Sequence, residues 1–252
     1  NVRDTPRTLS RISYLEVSLV TDQQPQHFAG SKAAAYDKAR APLASIYGAL
    51  RLSTNAVLSP LDDGSRVLCV GAGTGDELIV LAQMHPSWTF AVVEPSSDML
   101  ALCREKAILA GVDTRCEFFE GYIDLVPDGE SFDAALCLLV SCFIVEPSKR
   151  EALFSAIATR LRSGGLLVNA ELSPGVSAPD FEMLRDAWVA MHRAAGIGMK
   201  PDYLGRDVVV SSIEEVETLL TRAGFTESTR FFQALLISAW RSEVRRAGQG
   251  DH

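Results

Sequence analysis

The stretch 66-RVLCVGAGTGDELIVL-81 joins an apolar run to a turn with glycine at three alternate positions, and two acids follow that turn. The run is almost continuously apolar, which is typical of a strand buried on both faces of a sheet. Apolar residues after the acids recur at helical spacing. Gly71, Gly73 and Gly75 are therefore predicted to join a strand to a helix, where small residues let the backbone approach a ligand at the helix N-terminus.

The two acids narrow the kind of ligand that this turn is predicted to hold. The dinucleotide fingerprint G-x-G-x-x-G needs glycine at position 76, where this chain has Asp76, followed by Glu77. Carboxylates suit a helix N-terminus but repel a pyrophosphate. We therefore expect a ligand with a cationic or zwitterionic end.

The same alternation of apolar run and amphipathic segment continues along the chain and predicts the fold. The predicted strands occupy 67–70, 89–94, 116–121, 133–140 and 165–172, and two more lie within 225–243. Ser96 or Ser97 is expected to cap the second helix, and Gly111 and Gly164 to mark helix ends. The pattern predicts an α/β protein with a doubly wound, mostly parallel seven-stranded sheet and helices on both faces.

Two segments interrupt this alternation. Residues 27–60 have helical spacing broken near Pro42, which predicts an N-terminal lid of two helices. Residues 173–210 hold one amphipathic helix around 179–195 and then a Gly- and Pro-rich loop, inserted after strand five at the carboxyl edge of the sheet, where ligands bind. The remaining divisions are a polar N-terminal arm, 1–26, and a core domain, 61–252.

Later strands add further candidate ligand contacts. Glu94 closes the second strand and can accept hydrogen bonds from both hydroxyls of a ribose. Met99 lies one turn into the next helix, where its flexible side chain can pack on an adenine face. Gly121 and Tyr122 end the third strand, where a backbone amide can reach a base edge. Taken singly, Glu94 could be a surface acid and Met99 a core residue, so the combination carries the prediction.

In this order and spacing, the chain resembles the class I S-adenosylmethionine-dependent methyltransferases. The resemblance runs from about residue 65 to residue 240 and rests on VLCVGAGTGDE, AVVEPSSDML, FFEGYI, SFDAALCLLV, LRSGGLLV and LLTRAGF. It implies that S-adenosyl-L-methionine is the cofactor and that the cofactor-binding residues are Tyr36, Gly71, Ala72, Gly73, Gly75, Glu94, Pro95, Met99, Gly121, Tyr122 and Leu138. Many family members have Asp where Tyr122 stands, so adenine is expected to be held by backbone and stacking here.

Within that family the chain is distantly similar to the carboxy-S-adenosylmethionine synthases of tRNA wobble-uridine modification. This likeness rests on AAYDKARAPLASIYGAL, FIVEPSKREALFSAIATRLRSGG and RFFQALLISAW. Those enzymes use a basic residue shortly before the equivalent of SSIEE to hold the added carboxylate, whereas this chain has valine at 208–210 and Arg206 slightly earlier. We therefore expect a shared architecture more than a shared reaction.

Composition restricts the partners. The chain has 252 residues, 24 basic and 32 acidic, with a net charge of -8. A face that binds nucleic acid by neutralising phosphates needs a basic excess or stripe, so nucleic acid is not an expected partner. The cluster Arg241, Arg245 and Arg246 is read as a solvated helix end. A small-molecule substrate is expected, with a homodimer as a further expectation.

Other composition features concern thiols, metals and location. The five cysteines form no CxxC and have no histidine at ligand spacing, so they are predicted to be reduced structural thiols, and no metal site is predicted. No apolar stretch approaches the roughly 20 residues that span a bilayer, and the N-terminus has no signal-like apolar centre. We expect a cytoplasmic protein without a membrane partner.

Catalysis of methyl transfer needs alignment and desolvation, and a base only where the acceptor is a phenol or alcohol. His192, in the inserted helix, is the candidate base. The competing reading is a lid histidine without a chemical role. His27, His85 and His252 are weaker candidates. For Ser141, Cys142, Trp188 and Met191, substrate contact and ordinary packing are both open. Tyr36 either closes over the methionine carboxylate of the cofactor or packs in the ordinary way.

Three readings of the function follow. The first is a methyltransferase acting on a small, aromatic or keto-acid metabolite. The second is a carboxy-S-adenosylmethionine synthase or another tRNA-modification enzyme. The third is a non-catalytic S-adenosylmethionine-binding regulator or partner subunit. The acceptor-specifying residues are expected in 27–50 and 173–210.

Overall fold

The computed structural model describes residues 31–127, 129, 132–198, 200–226 and 228–245. The predicted arm 1–26, His27, Arg246 and His252 lie outside these residues. The described helices are α1 (Ser31–Arg40), α2 (Ala44–Val57), α3 (Asp76–Met84), α4 (Ser97–Leu109), α5 (Pro147–Arg160), α6 (Phe181–Ala194) and α7 (Ile213–Arg222). The described strands are β1 (Arg66–Val70), β2 (Thr89–Glu94), β3 (Cys116–Glu120), β4 (Phe132–Leu138), β5 (Leu161–Leu172), β6 (Thr229–Ala234) and β7 (Ile237–Glu243).

Within the described residues, seven strands form one sheet in the order β3-β2-β1-β4-β5-β7-β6. The first five strands pair in parallel, whereas β7 runs antiparallel to both β5 and β6. The predicted fold class, a mostly parallel seven-stranded α/β sheet, is confirmed. The chain reverses its winding direction between β1 and β4, so the carboxyl ends of these strands flank a crevice.

Alternate residues of β1 explain why helices cover both faces of the sheet. Leu68 and Val70 belong to an apolar cluster that includes Phe154 of α5. Val67 and Cys69 belong to a second cluster with side chains of α3 and α4. Because neighbouring residues of a strand point to opposite faces, each face of β1 needs its own helical layer.

Most predicted boundaries agree with the structure, but those at Arg241 and Gly164 do not. Arg241, interpreted from the sequence as part of a helix end, lies in strand β7. Ser96 caps α4 by accepting a hydrogen bond from the Met99 amide at 3.3 Å, and the break at Pro42 is a 3-10 turn between α1 and α2. Gly164 was predicted to end a helix, but α5 ends at Arg160 and Gly164 lies inside β5. Gly164 and Gly165 instead lie where the pairing of β5 with β4 is irregular. The register between these two strands shifts just after Phe132 of β4.

Both predicted lids lie over the carboxyl edge of the sheet and share one apolar cluster. Tyr47 and Leu50 of α2 belong to it, together with Trp188 of α6 and Leu204 of the following loop. The inserted helix, predicted around 179–195, spans 181–194. Across the described residues, no helix combines the length and the apolarity needed to cross a membrane.

Candidate active site

A cavity of about 450 Å³ opens at the carboxyl edge of the sheet, between the glycine turn and the two lids. Nine of the predicted site residues line it: Tyr36, Gly71, Ala72, Gly73, Glu94, Pro95, Met99, Leu138 and His192. Three do not: Gly75, Gly121 and Tyr122. One space thus brings together residues predicted for a cofactor and the histidine predicted for catalysis.

Gly75 supports the glycine turn from behind. It precedes α3 with φ +83°, and a Cβ at this position would overlap the Sγ of Cys103 in α4. Its glycine is therefore required both by a left-handed backbone and by the close approach of α4. Gly73, by contrast, has no atom within 4 Å of where a Cβ would stand. The turn therefore has open space at Gly73 and tight packing at Gly75.

Glu94 connects the end of β2 to the glycine turn. Its side chain is buried, with 6% of the residue exposed. Oε2 accepts a hydrogen bond from the Gly73 amide at 2.8 Å, and Oε1 accepts one from the Ser96 amide at 2.9 Å. Burial raises the pKa of Glu94, while these two bonds lower it. Each oxygen keeps a second lone pair with which it can accept a ligand hydroxyl.

The end of β3 lies next to Glu94 without lining the cavity. The Gly121 amide donates to the Glu94 carbonyl at 3.0 Å, and Tyr122 follows it in extended conformation. Met99 lines the cavity and is only 2% exposed, so the structure accommodates both a core role and an adenine contact. The predicted adenine contacts of Gly121 and Tyr122 stay predictions.

The two acids after the turn are paired with cations, a feature that the sequence did not indicate. The Asp76 carboxylate lies 2.7 Å from Lys106 Nζ, and the Glu77 carboxylate lies 3.6 Å from Arg51 Nη1. Burial raises the pKa of Glu77, and Arg51 opposes the rise. Repulsion of a pyrophosphate by these acids is therefore weaker than their sequence positions suggested.

Lys106 also holds the N-terminal lid against the core. Its Nζ lies 2.6 Å from the Asp37 carboxylate of α1 and donates to Thr74 Oγ1 at 2.9 Å. Thr74 in turn donates to Asp37 at 2.7 Å. A single ammonium group thus joins α1, α4 and the glycine turn. We call Lys106, Asp37, Thr74 and Asp76 the lid clasp.

Loss of this clasp is expected to loosen α1. Replacing Lys106 with methionine removes two partly exposed ion pairs, each of which contributes about 0.2–1 kcal/mol. The two pairs together amount to about 0.4–2 kcal/mol, so we expect trypsin to cleave after Lys38 or Arg40 about two- to thirtyfold faster, because cleavage depends on how often the helix opens. Lys149→Met is the matched control, since the Lys149 side chain is 22% exposed against 28% for Lys106 and pairs with Glu146, the residue just before α5, away from the lid. Equal cleavage rates in both variants would contradict the clasp.

His192 lines the cavity on the inserted helix and is 5% exposed. Its Nδ1 is 2.9 Å from the carbonyl oxygen of Trp188, one helical turn earlier. A carbonyl oxygen can only accept, so Nδ1 carries the proton and Nε2 carries the lone pair. Burial lowers the pKa of His192, the bond to Trp188 raises it, and the charge of Arg40 lowers it. The ring is therefore held neutral with a basic nitrogen free.

The competing candidate bases have other roles in the structure. Cys142 lines the cavity, but burial raises the pKa of its thiol well above the ordinary range, so the thiol stays protonated. Ser141 donates to the buried carboxylate of Glu171 and does not line the cavity. His85 stacks on Trp88 with ring centroids 3.7 Å apart and contacts Asn55, outside the cavity lining.

Sequence reasoning did not identify several cavity residues. Arg40, Tyr47 and Arg51 come from the first lid, and Tyr203 comes from the loop after α6. The signal for Arg40 was its position one helical turn after Tyr36. Tyr47 could not be placed in the same way, because the turn at 41–43 separates the two helices.

The comparisons with known proteins fall on the same region. The family model described as "Methyltransferase domain" matches residues 67–165, from β1 into β5. The carboxy-S-adenosyl-L-methionine synthase of Colwellia psychrerythraea is 30% identical over 151 residues, which is 56% of this chain and 59% of the relative. The chain thus matches about three fifths of that relative's length.

Solved structures extend the likeness in fold. An O-methyltransferase family protein from Burkholderia thailandensis has a TM-score of 0.65 at 14% identity, over 90% of this chain and 64% of that one. The magnesium protoporphyrin IX methyltransferase from Synechocystis, solved with bound SAH, has a TM-score of 0.65 at 13% identity, over 88% of this chain and 98% of that one. At these identities the likeness concerns the fold.

Proposed function

We propose that this chain, which contains a class I S-adenosylmethionine-dependent methyltransferase domain with distant homology to carboxy-S-adenosylmethionine synthases, transfers a methyl group to a small-molecule acceptor. The observation that carries this proposal is the shared cavity. Glu94 and the glycine turn form one wall, and His192 and Trp188 stand on the lid side. A cofactor and an acceptor can therefore meet in one enclosed space.

The cofactor-side residues fit S-adenosylmethionine. Glu94 has two lone pairs left for ribose hydroxyls after accepting two amide bonds. The open space at Gly73 leaves room for the methionine part beside the turn. When bound, S-adenosylmethionine supplies an electrophilic methyl group on a sulfonium. We propose that the cofactor is held by the predicted cofactor-binding residues that line the cavity, with Gly75 supporting the turn. These residues are Tyr36, Gly71, Ala72, Gly73, Glu94, Pro95, Met99 and Leu138.

The remaining residues of the cavity orient the acceptor, exclude water and accept a proton. Tyr47, Trp188, Leu204 and Val208 give the acceptor side an apolar and aromatic wall. Such a wall desolvates a small, partly apolar molecule and aligns it for in-line attack. If the acceptor is a hydroxyl, Nε2 of His192 takes its proton, so His192 is the proposed catalytic base.

A second candidate function is the formation of carboxy-S-adenosylmethionine, which is favoured by the name of the Colwellia relative. The surroundings of Arg206 argue against this second function. Arg206 is the basic residue nearest the position where such enzymes hold the added carboxylate. Arg206 is exposed and pairs with Asp202 at 3.0 Å and Asp207 at 2.6 Å. It does not line the cavity, so methyl transfer is the better-supported proposal.

Mass spectrometry of the ligand that co-purifies with the protein tests the two candidates. We expect S-adenosylmethionine or S-adenosylhomocysteine, and calorimetry should show binding of both to the ligand-free protein. A carboxylated cofactor would replace the proposal with the second candidate. Absence of binding in calorimetry would refute the cofactor assignment itself. Binding without turnover, across acceptors, would instead favour a non-catalytic binding protein.

A further inference from the structure

Arg40, the last residue of α1, projects its guanidinium between two tyrosine rings in the cavity wall. Its Cζ lies 4.5 Å from the ring centroid of Tyr36 and 4.8 Å from that of Tyr47. All three residues line the cavity. Stacking on aromatic faces stabilises a guanidinium and fixes its plane, while the N–H groups at its edge stay available.

The charge of Arg40 has no carboxylate partner within 4 Å among the described residues, 31–245 with their gaps. The other cations of this region are paired: Arg51 lies 3.6 Å from Glu77, and Lys106 belongs to the lid clasp. Desolvating a cation without an anion costs free energy. An anionic ligand would offset that cost at Arg40.

The surroundings of Arg40 point to the acceptor side of the cavity. Its charge lowers the pKa of His192, on the inserted helix, and the Glu77 carboxylate of α3 also acts on Arg40. Trp188, 4% exposed, also lines this side, and its indole Nε1 is buried without a hydrogen-bond partner in the described structure. An oxygen of a bound molecule would satisfy a donor of this kind.

We propose that Arg40 binds the carboxylate of the methyl acceptor, so that the acceptor is an aromatic or similarly planar carboxylic acid. This inference rests on the proposed function and narrows its substrate class. The guanidinium edge can bind the carboxylate in a bidentate manner, and the apolar wall receives the rest of the molecule. The orphan indole of Trp188 offers a second donor, and His192 is left to take a proton from a hydroxyl.

The carboxylate bound by Arg40 could alternatively belong to the methionine part of the cofactor, since Glu77 also acts on Arg40 through space. The two sources share one chemistry and differ in the ligand that loses affinity when Arg40 is changed. Binding of S-adenosylhomocysteine and of 5′-methylthioadenosine, which lacks the methionine carboxylate, separates them.

The test uses the full chain saturated with S-adenosylhomocysteine, so its result does not depend on turnover. Hydroxylated aromatic acids, among them 4-hydroxyphenylacetate, are each compared with their own primary amide, such as 4-hydroxyphenylacetamide, by calorimetry. We expect at least one acid to bind about tenfold or more tightly than its amide, as befits one charge-assisted contact. Arg40→Met should abolish that preference, and Arg40→Lys should retain part of it.

Arg104→Met is the matched control. Arg104 also stacks on a ring, with Cζ 4.5 Å from the Phe118 centroid, but it is exposed and outside the cavity lining. The control should keep the preference for acids. Binding of S-adenosylhomocysteine should change less than twofold in Arg40→Met, which also shows that this variant is folded.

Two results would overturn the inference while leaving methyl transfer intact. One is the absence of any preference for acid over amide in the wild-type protein, or its persistence in Arg40→Met. The other is a loss of S-adenosylhomocysteine affinity in Arg40→Met with unchanged affinity for 5′-methylthioadenosine, which would assign Arg40 to the cofactor. Failure of the proposed function would appear differently, as absence of cofactor binding to the wild-type protein.

Discussion

Replacing His192 with glutamine is expected to lower kcat for a hydroxyl acceptor by about 10²- to 10⁴-fold, the usual contribution of a general base. The reason is the hydrogen bond of Nδ1 to the Trp188 carbonyl, which leaves a basic lone pair on Nε2. Glutamine has similar reach but cannot take a proton at neutral pH. KM for the acceptor should change much less than kcat, because the wall that binds the acceptor remains.

The pH dependence gives the same prediction a second readout. The neutral ring is the active form, and the pKa of His192 is lowered from its ordinary value of 6.5, chiefly by burial. The rate should therefore fall as the pH drops through a pKa that lies below 6.5, and the acid limb should lie lower than that of an ordinary histidine. His192→Gln should lack this acid limb. His85→Gln, which changes a histidine stacked on Trp88 outside the cavity, should keep both the rate and its decrease at acid pH.

An unchanged kcat in His192→Gln would remove His192 from the chemistry and indicate an acceptor that needs no base.

Glu94→Gln is expected to weaken binding of S-adenosylhomocysteine by about 10- to 150-fold, equivalent to about 1.5–3 kcal/mol for hydrogen bonds to a charged group. The carboxylate accepts from the amides of Gly73 and Ser96. A glutamine amide must turn its NH₂ group toward one of these donors, so the substitution removes a bond from the turn as well as a charge from the proposed ribose site. Calorimetry measures the change, after thermal unfolding has shown that the variant is folded at the assay temperature.

Glu120→Gln is the control for this variant. Glu120 aligns with Glu94 in the register of the neighbouring strand but is exposed, so its replacement should leave binding unchanged. Equal affinities of Glu94→Gln and wild type would mean that Glu94 stabilises the glycine turn without contacting the cofactor. A loss in both variants would instead indicate an effect of overall charge.

The sheet and its helices could be predicted because each depends on local sequence. The buried strand 67–70, the glycine turn and the cap at Ser96 follow from hydrophobic pattern and backbone preference, and the structure has each of them. Gly164 shows the limit of this reasoning. A glycine after a helical segment predicts a helix end, but pairing of β5 with β4 extended the strand back to Leu161, a tertiary effect that the local pattern does not carry.

The candidate site likewise contains residues that could be predicted from the sequence and contacts that could not. Glu94 ends β2 and Gly73 lies in the turn just after β1, so their position at the sheet edge was predictable. The stacking of Arg40 between Tyr36 and Tyr47 depends on the angle between two helices, and the pairing of Asp76 with Lys106 joins residues 30 positions apart. Contacts of this kind arise only from packing, which is why the sequence indicated the lid segments, Tyr36 and His192 but not Arg40, Tyr47 or Arg51.

The lid cluster, with Tyr47, Trp188 and Leu204 among its members, has buried residues that belong to neither of the other two clusters, although it also contains residues of β5 and β7. Substitutions in this third cluster can reshape the acceptor wall while the packing of α3, α4, α5 and α7 on the sheet is retained. Selection for a new acceptor and selection for a stable fold then act on largely different residues. Such a division would let descendants of this chain diversify their substrates without first losing the ability to fold.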